Sequence, residues 1–236
     1  MPTPVTSAQK TFLDESVLVA ELMHVVALFP QGLPILQEHG HEGPPGFQDN
    51  INVFVQKTQL FRDKDELAKW FVPVWTAKAV DNFNCYLSDV LTLVLLSCPD
   101  ALKSKKSVTY EEVLDCPSRD DVVRLLATKA VDALGHKGFD EVKRFLTDRL
   151  GISVSADADA EKTVREAIAV RNIVVHNRGR VNARFLQETG MSDVSDGGPL
   201  RSSVTRMREY LGALEQLVEE IDEELIKKFH LAADDG

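Results

Sequence analysis

The chain has 236 residues, 44% hydrophobic and 27% charged, with a net charge of −10. That length can bury a core as one large domain or two small ones, and the mixture is that of an ordinary globular protein. The negative balance excludes a protein that coats nucleic acid without preference, because neutralising phosphates drives such binding.

Helical periodicity is abundant and strand signals are scarce, so the fold class is all-α. A first helix is predicted over 11–29, ending at Pro30. Residues 30–50 are crowded with Gly and Pro and read as a long loop. Residues 51–61 are ambiguous: Ile51, Val53 and Val55 alternate like a strand, but an isolated strand has nothing to pair with. A long apolar helix follows from Asp65 to Leu96, with Pro73 near its start, where proline is tolerated or kinks the helix. Thr109 and Glu112 have capping-box spacing and open a short helix. Another begins at Ser118 and stops near Gly135, and one more lies between Gly138 and Gly151. Asp157, Asp159 and Glu161 set negative charge at the start of the next helix, which Gly179 ends. Last comes a helix with Leu200, Val204, Met207, Leu211, Leu214, Val218, Ile221 and Leu225 at heptad spacing, either packed within the monomer or pairing two chains. Residues 1–60 are expected to pack as a helix and loop on a main helical domain of 61–236.

Charge is unevenly spread. Residues 165–184 hold Arg165, Arg171, Arg178, Arg180 and Arg184 against Glu166 alone, a net of +4. Residues 215–236 carry eight acids against Lys227 and Lys228, a net of −6. A small positive site on a negative body suits a focused anionic substrate. Cys85, Cys98 and Cys116 are odd in number and show no CxxC spacing, which reads as thiols in a reducing compartment. Glu21 and His24 interrupt the first apolar stretch, no basic segment leads into it, and no uncharged run is long enough to span a membrane. A cytoplasmic protein with no membrane partner is expected.

The helix before Gly179 carries the chemistry. At ~100° per residue, Val164, Ala167, Ile168, Val170, Val174 and Val175 share one face, with Arg171 in its middle. Asn172 and His176, four apart, stack at the edge of that face beside Arg165. A guanidinium among valines needs an anionic or carbonyl partner, because an unpaired buried charge costs about 3–5 kcal/mol. Cation, amide and imidazole together suit phosphate chemistry. Judged singly, Arg171 in a structural ion pair and His176 at a helix C-terminus are the bland alternatives.

Arg171-Asn172-Ile173-Val174-Val175-His176 resembles the RxxxxH signature of HEPN domains, in which a polar residue, often Asn, follows the arginine. Within that superfamily it resembles the RiboL-PSP-HEPN-like branch. Asn84-Cys85-Tyr86-Leu87 is similar to the early HEPN helix, which often shows an acid where this chain has Asn84. The resemblance covers roughly residues 65–190. It implies a HEPN-like bundle of long antiparallel helices with an N-terminal helical extension and a long C-terminal helix. It also implies a homodimer whose two motif helices form one cleft for RNA cleavage without metal or other cofactor. Arg171 would hold the phosphate, Asn172 orient it or the histidine, and His176 move a proton. Arg165, Asn177, Arg178, Arg180 and Arg184 would contact RNA. The family also implies a toxin or phage-defence effector, with an antitoxin or other regulatory protein as partner.

Other signals are weaker. His39 and His41 form an HxH pair without a third ligand, so no metal is expected there. Asp157, Asp159 and Glu161 do not make a calcium loop, since the glycine position holds Lys162. Trp70, Phe71, Trp75 and Phe83 at helical spacing read as core. Two rival functions remain: a non-catalytic HEPN-like module for RNA binding or protein assembly, and a helical adaptor built on the heptad seam and acidic tail.

Overall fold

In the computed structural model, residues 4–39, 42, 44–57, 64–104, 107–135, 137–154 and 157–231 are described. They form helices α1 (Ser7–His39), α2 (Phe47–Lys57), α3 (Lys64–Ser97), α4 (Tyr110–Leu114), α5 (Arg119–Gly135), α6 (Phe139–Asp148), α7 (Ala158–Asn177), α8 (Ala183–Thr189) and α9 (Val204–Phe229), with a 3-10 turn at Pro99–Leu102. No β-strand occurs among the described residues, where the extended pairing is an isolated bridge between Arg180 and Pro199. The protein is all-α.

Two local expectations are corrected. Instead of ending at Pro30, α1 continues to His39 through Pro30, Gly32 and Pro34. Each proline removes one backbone hydrogen bond, but a helix already more than twenty residues long propagates past that loss more readily than a new one nucleates. Residues 47–57 are helical and not strand-like. Phe47, Ile51, Phe54 and Val55 follow i, i+4, i+7 and i+8, a helical period that the shorter alternation of Ile51, Val53 and Val55 obscures. Residues 58–61 and His41 lie outside the described residues.

The remaining elements follow their local signals. Thr109 accepts from the Glu112 amide while the Glu112 side chain accepts from the Thr109 amide, closing the capping box. Helix α3 runs unbroken through Pro73. Its segment 71–97 has the length and hydropathy of a membrane span, yet 56% of its apolar window is buried within the protein. Phe83 is buried, while Phe71 and Trp75 pack ring on ring 5.2 Å apart; the Trp70 side chain lies outside the described residues. None of the three cysteines forms a disulfide.

Chain contacts group into two compact units. The first comprises Met1–Asp14, Asp81–Arg165 and Gly212–Gly236. Phe83, Tyr86, Val90, Leu91, Leu95, Leu146, Ile152, Leu217, Ile221 and Leu225 are in its core. Phe12 and Phe139 pack against Tyr86 and Phe83 with ring centroids 6.0 and 5.9 Å apart. A polar network crosses this core: the Thr6 amide donates to Asp222 Oδ2 at 2.8 Å, and the Thr6 and Tyr86 hydroxyls donate to Asp222 Oδ1. Asn82 donates to the Phe12 carbonyl at 2.9 Å.

Burial pushes the Asp222 carboxyl up from its ordinary range, although hydrogen bonds from Thr6 and Tyr86 pull it back. A raised folded-state value means that its proton-linked stabilisation is complete below the ordinary carboxylate range and is lost as pH rises. Asp222→Ala is expected to cost about 1–3 kcal/mol by orphaning buried donors. That gap should widen as pH falls from neutral towards 4 in parallel urea titrations, and a gap that narrows on acidification would contradict it.

The second unit comprises Glu15–Val80 and Glu166–Leu211. Val72, Val80, Ala167, Val170, Ile173, Val181, Phe185 and Met207 are in its core. Along α9, Met207, Leu214, Val218, Ile221 and Leu225 of the heptad series are buried within one chain, as is Leu200 just before it. Leu211 is half-buried and Val204 is exposed. The seam therefore packs within the monomer.

Candidate active site

Helix α7 opens with Asp159 and Glu161 in its first turn, where the helix dipole favours acids. It ends in two consecutive left-handed residues, Arg178 (φ 56°) and Gly179 (φ 70°). The Gly179 amide donates back to the Ile173 carbonyl at 2.9 Å, closing a seven-residue turn over the helix end. Glycine adopts that backbone without strain, whereas Arg178 does so at a cost of about 1–2 kcal/mol. Backbone bonds then hold the following turn against 197–200: Val181 with Gly198 and Gly197, and Leu200 with Gly179. Arg180 Nη1 adds a bond to the Gly197 carbonyl at 3.1 Å, and Asn177 Nδ2 donates to the Arg180 carbonyl. The C-terminal end of the motif helix is thus tied to the chain on both sides.

The helix is turned differently from the expected orientation. Val164, Ala167 and Val170 are buried as expected, but so are Glu166, Ala169 and Ile173. Ile168 and Val174 are half-buried, and Val175 is 50% exposed. The buried face is rotated by roughly a quarter turn from the one drawn by apolar residues. Arg171 is therefore half-buried at the edge of that face, not enclosed in its middle. Its Nη1 lies 3.4 Å from His176 Nε2. Because a guanidinium only donates, this contact is a hydrogen bond in the tautomer that carries its proton on Nδ1 and turns the Nε2 lone pair to Arg171.

Glu166 is the residue that sequence reasoning missed on this helix. Its side chain is 5% exposed and pairs with Arg206 on α9, which also pairs with Glu209 and lies 5.1 Å over the Tyr210 ring. Burial alone would lower the Arg206 guanidinium, but Glu209 and Glu166 hold it well above its ordinary range. On the wheel drawn by the apolar residues Glu166 falls outside the expected face, so nothing along the helix marked its burial.

His176 lies in a groove of about 330 Å³ lined by Ala169, Asn172, Ile173, His176 and Asn177 of α7 and by Asn182, Arg184, Phe185 and Glu188 beyond it. The structure thus gathers Asn172, His176, Asn177 and Arg184 from the sequence-derived set, with Arg171 in contact through His176. The Asn172 carboxamide has no hydrogen-bond partner among the described residues. Asn182 caps α8 by accepting from the Phe185 amide at 2.8 Å. Arg184 Nε donates to Glu188 Oε1 at 2.6 Å. Asn182, Phe185 and Glu188 were missed; an N-cap asparagine and an i,i+4 Arg–Glu pair were the signals available.

Three arginines lie elsewhere. Arg178 is exposed beyond the helix, and Arg180 faces the Gly197 carbonyl. Arg165 belongs to the first unit, where it pairs with Asp140 and Glu161 and lies 6.0 Å over the Phe139 ring. Burial lowers the Arg165 guanidinium, and the two carboxylates more than reverse that. Its charge is thereby committed internally. The groove itself pairs its one cation with its one anion, so it is polar and near neutral, not strongly basic. No cluster of three metal-binding side chains occurs among the described residues. No protein-family model, curated protein or solved structure matches the chain.

Proposed function

We propose that the chain is a metal-independent endoribonuclease of the HEPN type. The observation that carries this reading is the meeting of Arg171 and His176 beside an uncommitted Asn172 amide. An incoming phosphate draws the Arg171 N–H donors onto its oxygens and releases the Nε2 lone pair they occupy. The imidazole then removes the proton from a ribose 2′-hydroxyl, whose oxygen attacks the adjacent phosphorus. The P–O5′ bond breaks, the departing oxygen takes a proton from a general acid, and a 2′,3′-cyclic phosphate and a 5′-hydroxyl result. Arg171 and Asn172 meet the charge that builds on the non-bridging oxygens.

One motif imidazole per chain serves one of the two proton transfers, so the second comes from a second copy in a homodimer. Half-buried Ile168 and Val174 with exposed Val175 give the motif helix an apolar strip that a second copy can cover. On the resemblance, the biological role is that of a cytoplasmic toxin or phage-defence effector held by an antitoxin or other regulatory protein. The near-neutral groove favours a second reading, a non-catalytic HEPN-like module for RNA binding or assembly.

The test is incubation of single-stranded RNA with the protein in excess EDTA. The expected products end in 2′,3′-cyclic phosphate and 5′-hydroxyl, and 2′-O-methyl RNA and DNA stay intact. Cleavage that vanishes in EDTA and returns with magnesium would refute the mechanism. A dimer that binds RNA without cutting it would select the second reading.

A further inference from the structure

We propose that the α8 side of this groove is a nucleobase subsite that selects guanine on the 5′ side of the cut, with Glu188 as the reading residue. The inference rests on the ribonuclease reading above. A volume of about 330 Å³ is at the low end for a ligand site and suits one nucleotide, not a duplex. Charge decides which part of the nucleotide sits against α8. Arg184 is already spent on Glu188, so a second phosphate there would face a carboxylate with no cation to spare. A neutral base meets no such repulsion.

The open hydrogen-bonding capacity is mixed, as a base edge requires. Asn177 Oδ1 and Asn182 Nδ2 remain after their partners are counted, as do the whole Asn172 amide and Glu188 Oε2. Guanine presents N1–H and N2–H₂ side by side; one donates to the open Glu188 Oε2 and the other to the second lone pair of Oε1, which Arg184 Nε leaves unused. Uracil presents a single N–H flanked by carbonyls that the same carboxylate repels. Phe185 is 1% exposed and forms the floor of the groove. The Arg184 bond also fixes the carboxylate before the base arrives.

The experiment measures equilibrium binding of the four nucleoside 3′-monophosphates to the full chain, with cleavage of single-stranded RNAs scored separately. Guanosine 3′-monophosphate is expected to bind about tenfold more tightly than uridine 3′-monophosphate. Glu188→Gln turns one acceptor into a donor, and Glu188→Ala removes both; each should bring that ratio to within about threefold of one. Both sit on an exposed helix face, and thermal melts check their folding. Equal binding of all four nucleotides, no binding, or a guanine preference that survives both substitutions overturns the subsite. Guanine-selective binding without RNA cleavage supports the subsite and refutes the ribonuclease reading. Cleavage without base preference refutes the subsite alone.

Discussion

Replacing His176 by alanine is expected to slow RNA cleavage by about 10²–10⁴-fold, the usual contribution of a positioned general acid or base. Because the side chain is exposed, the melting temperature should hardly move; surface substitutions usually stay within about 0.5 kcal/mol. Arg171→Ala should reduce the rate by about 10²–10³-fold through lost charge stabilisation. Arg171→Lys should restore little of it, because an ammonium lacks the planar fork that grips two phosphate oxygens. Single-turnover cleavage of one defined RNA, with melts on the same samples, measures all three. An active His176→Ala enzyme would sink the proposed chemistry. An Arg171→Ala protein that unfolds would favour the adaptor, in which Arg171 makes a structural ion pair.

Arg206→Ala is expected to destabilise the protein by about 3–5 kcal/mol, because it strands the Glu166 carboxylate in the interior. For a chain of this size that is a fall of about 10 °C in melting temperature. Glu166→Ala should cost less. The Arg206 side chain is 38% exposed and keeps Glu209, so it is not left uncompensated. The two substitutions together, as Glu166→Leu with Arg206→Met, should cost less than Arg206→Ala alone, since removing a buried pair also removes its desolvation penalty. Urea melts of the three variants give the ranking, and equal losses for both single alanines would contradict this asymmetry.

The fold class and most helix boundaries were legible in the residues. Caps, dipole-matched acids and the 3.6-residue period act between neighbours in the chain, as at Thr109–Glu112, at Asp159 and Glu161, and at Gly179. The motif of Arg171, Asn172 and His176 was legible for the same reason. Helix α1 beyond Pro30, helix α2 and the short helix α8 were not. Cooperative propagation outweighed the prolines, and a short alternation hid the longer period.

Arg165 was grouped with the site because a helical wheel places it beside His176, yet Asp140 claims it from another helix. Half of the groove wall arrives after a turn pinned to 197–200, an arrangement that spacing along α7 does not record. Residue order by itself determined that this chain is helical and that a guanidinium, an amide and an imidazole share one helix end. Only the tertiary structure decided which side of that helix faces inward. The deciding partner, Arg206, is forty residues from Glu166 along the chain, and periodicity carries no information about pairs so distant.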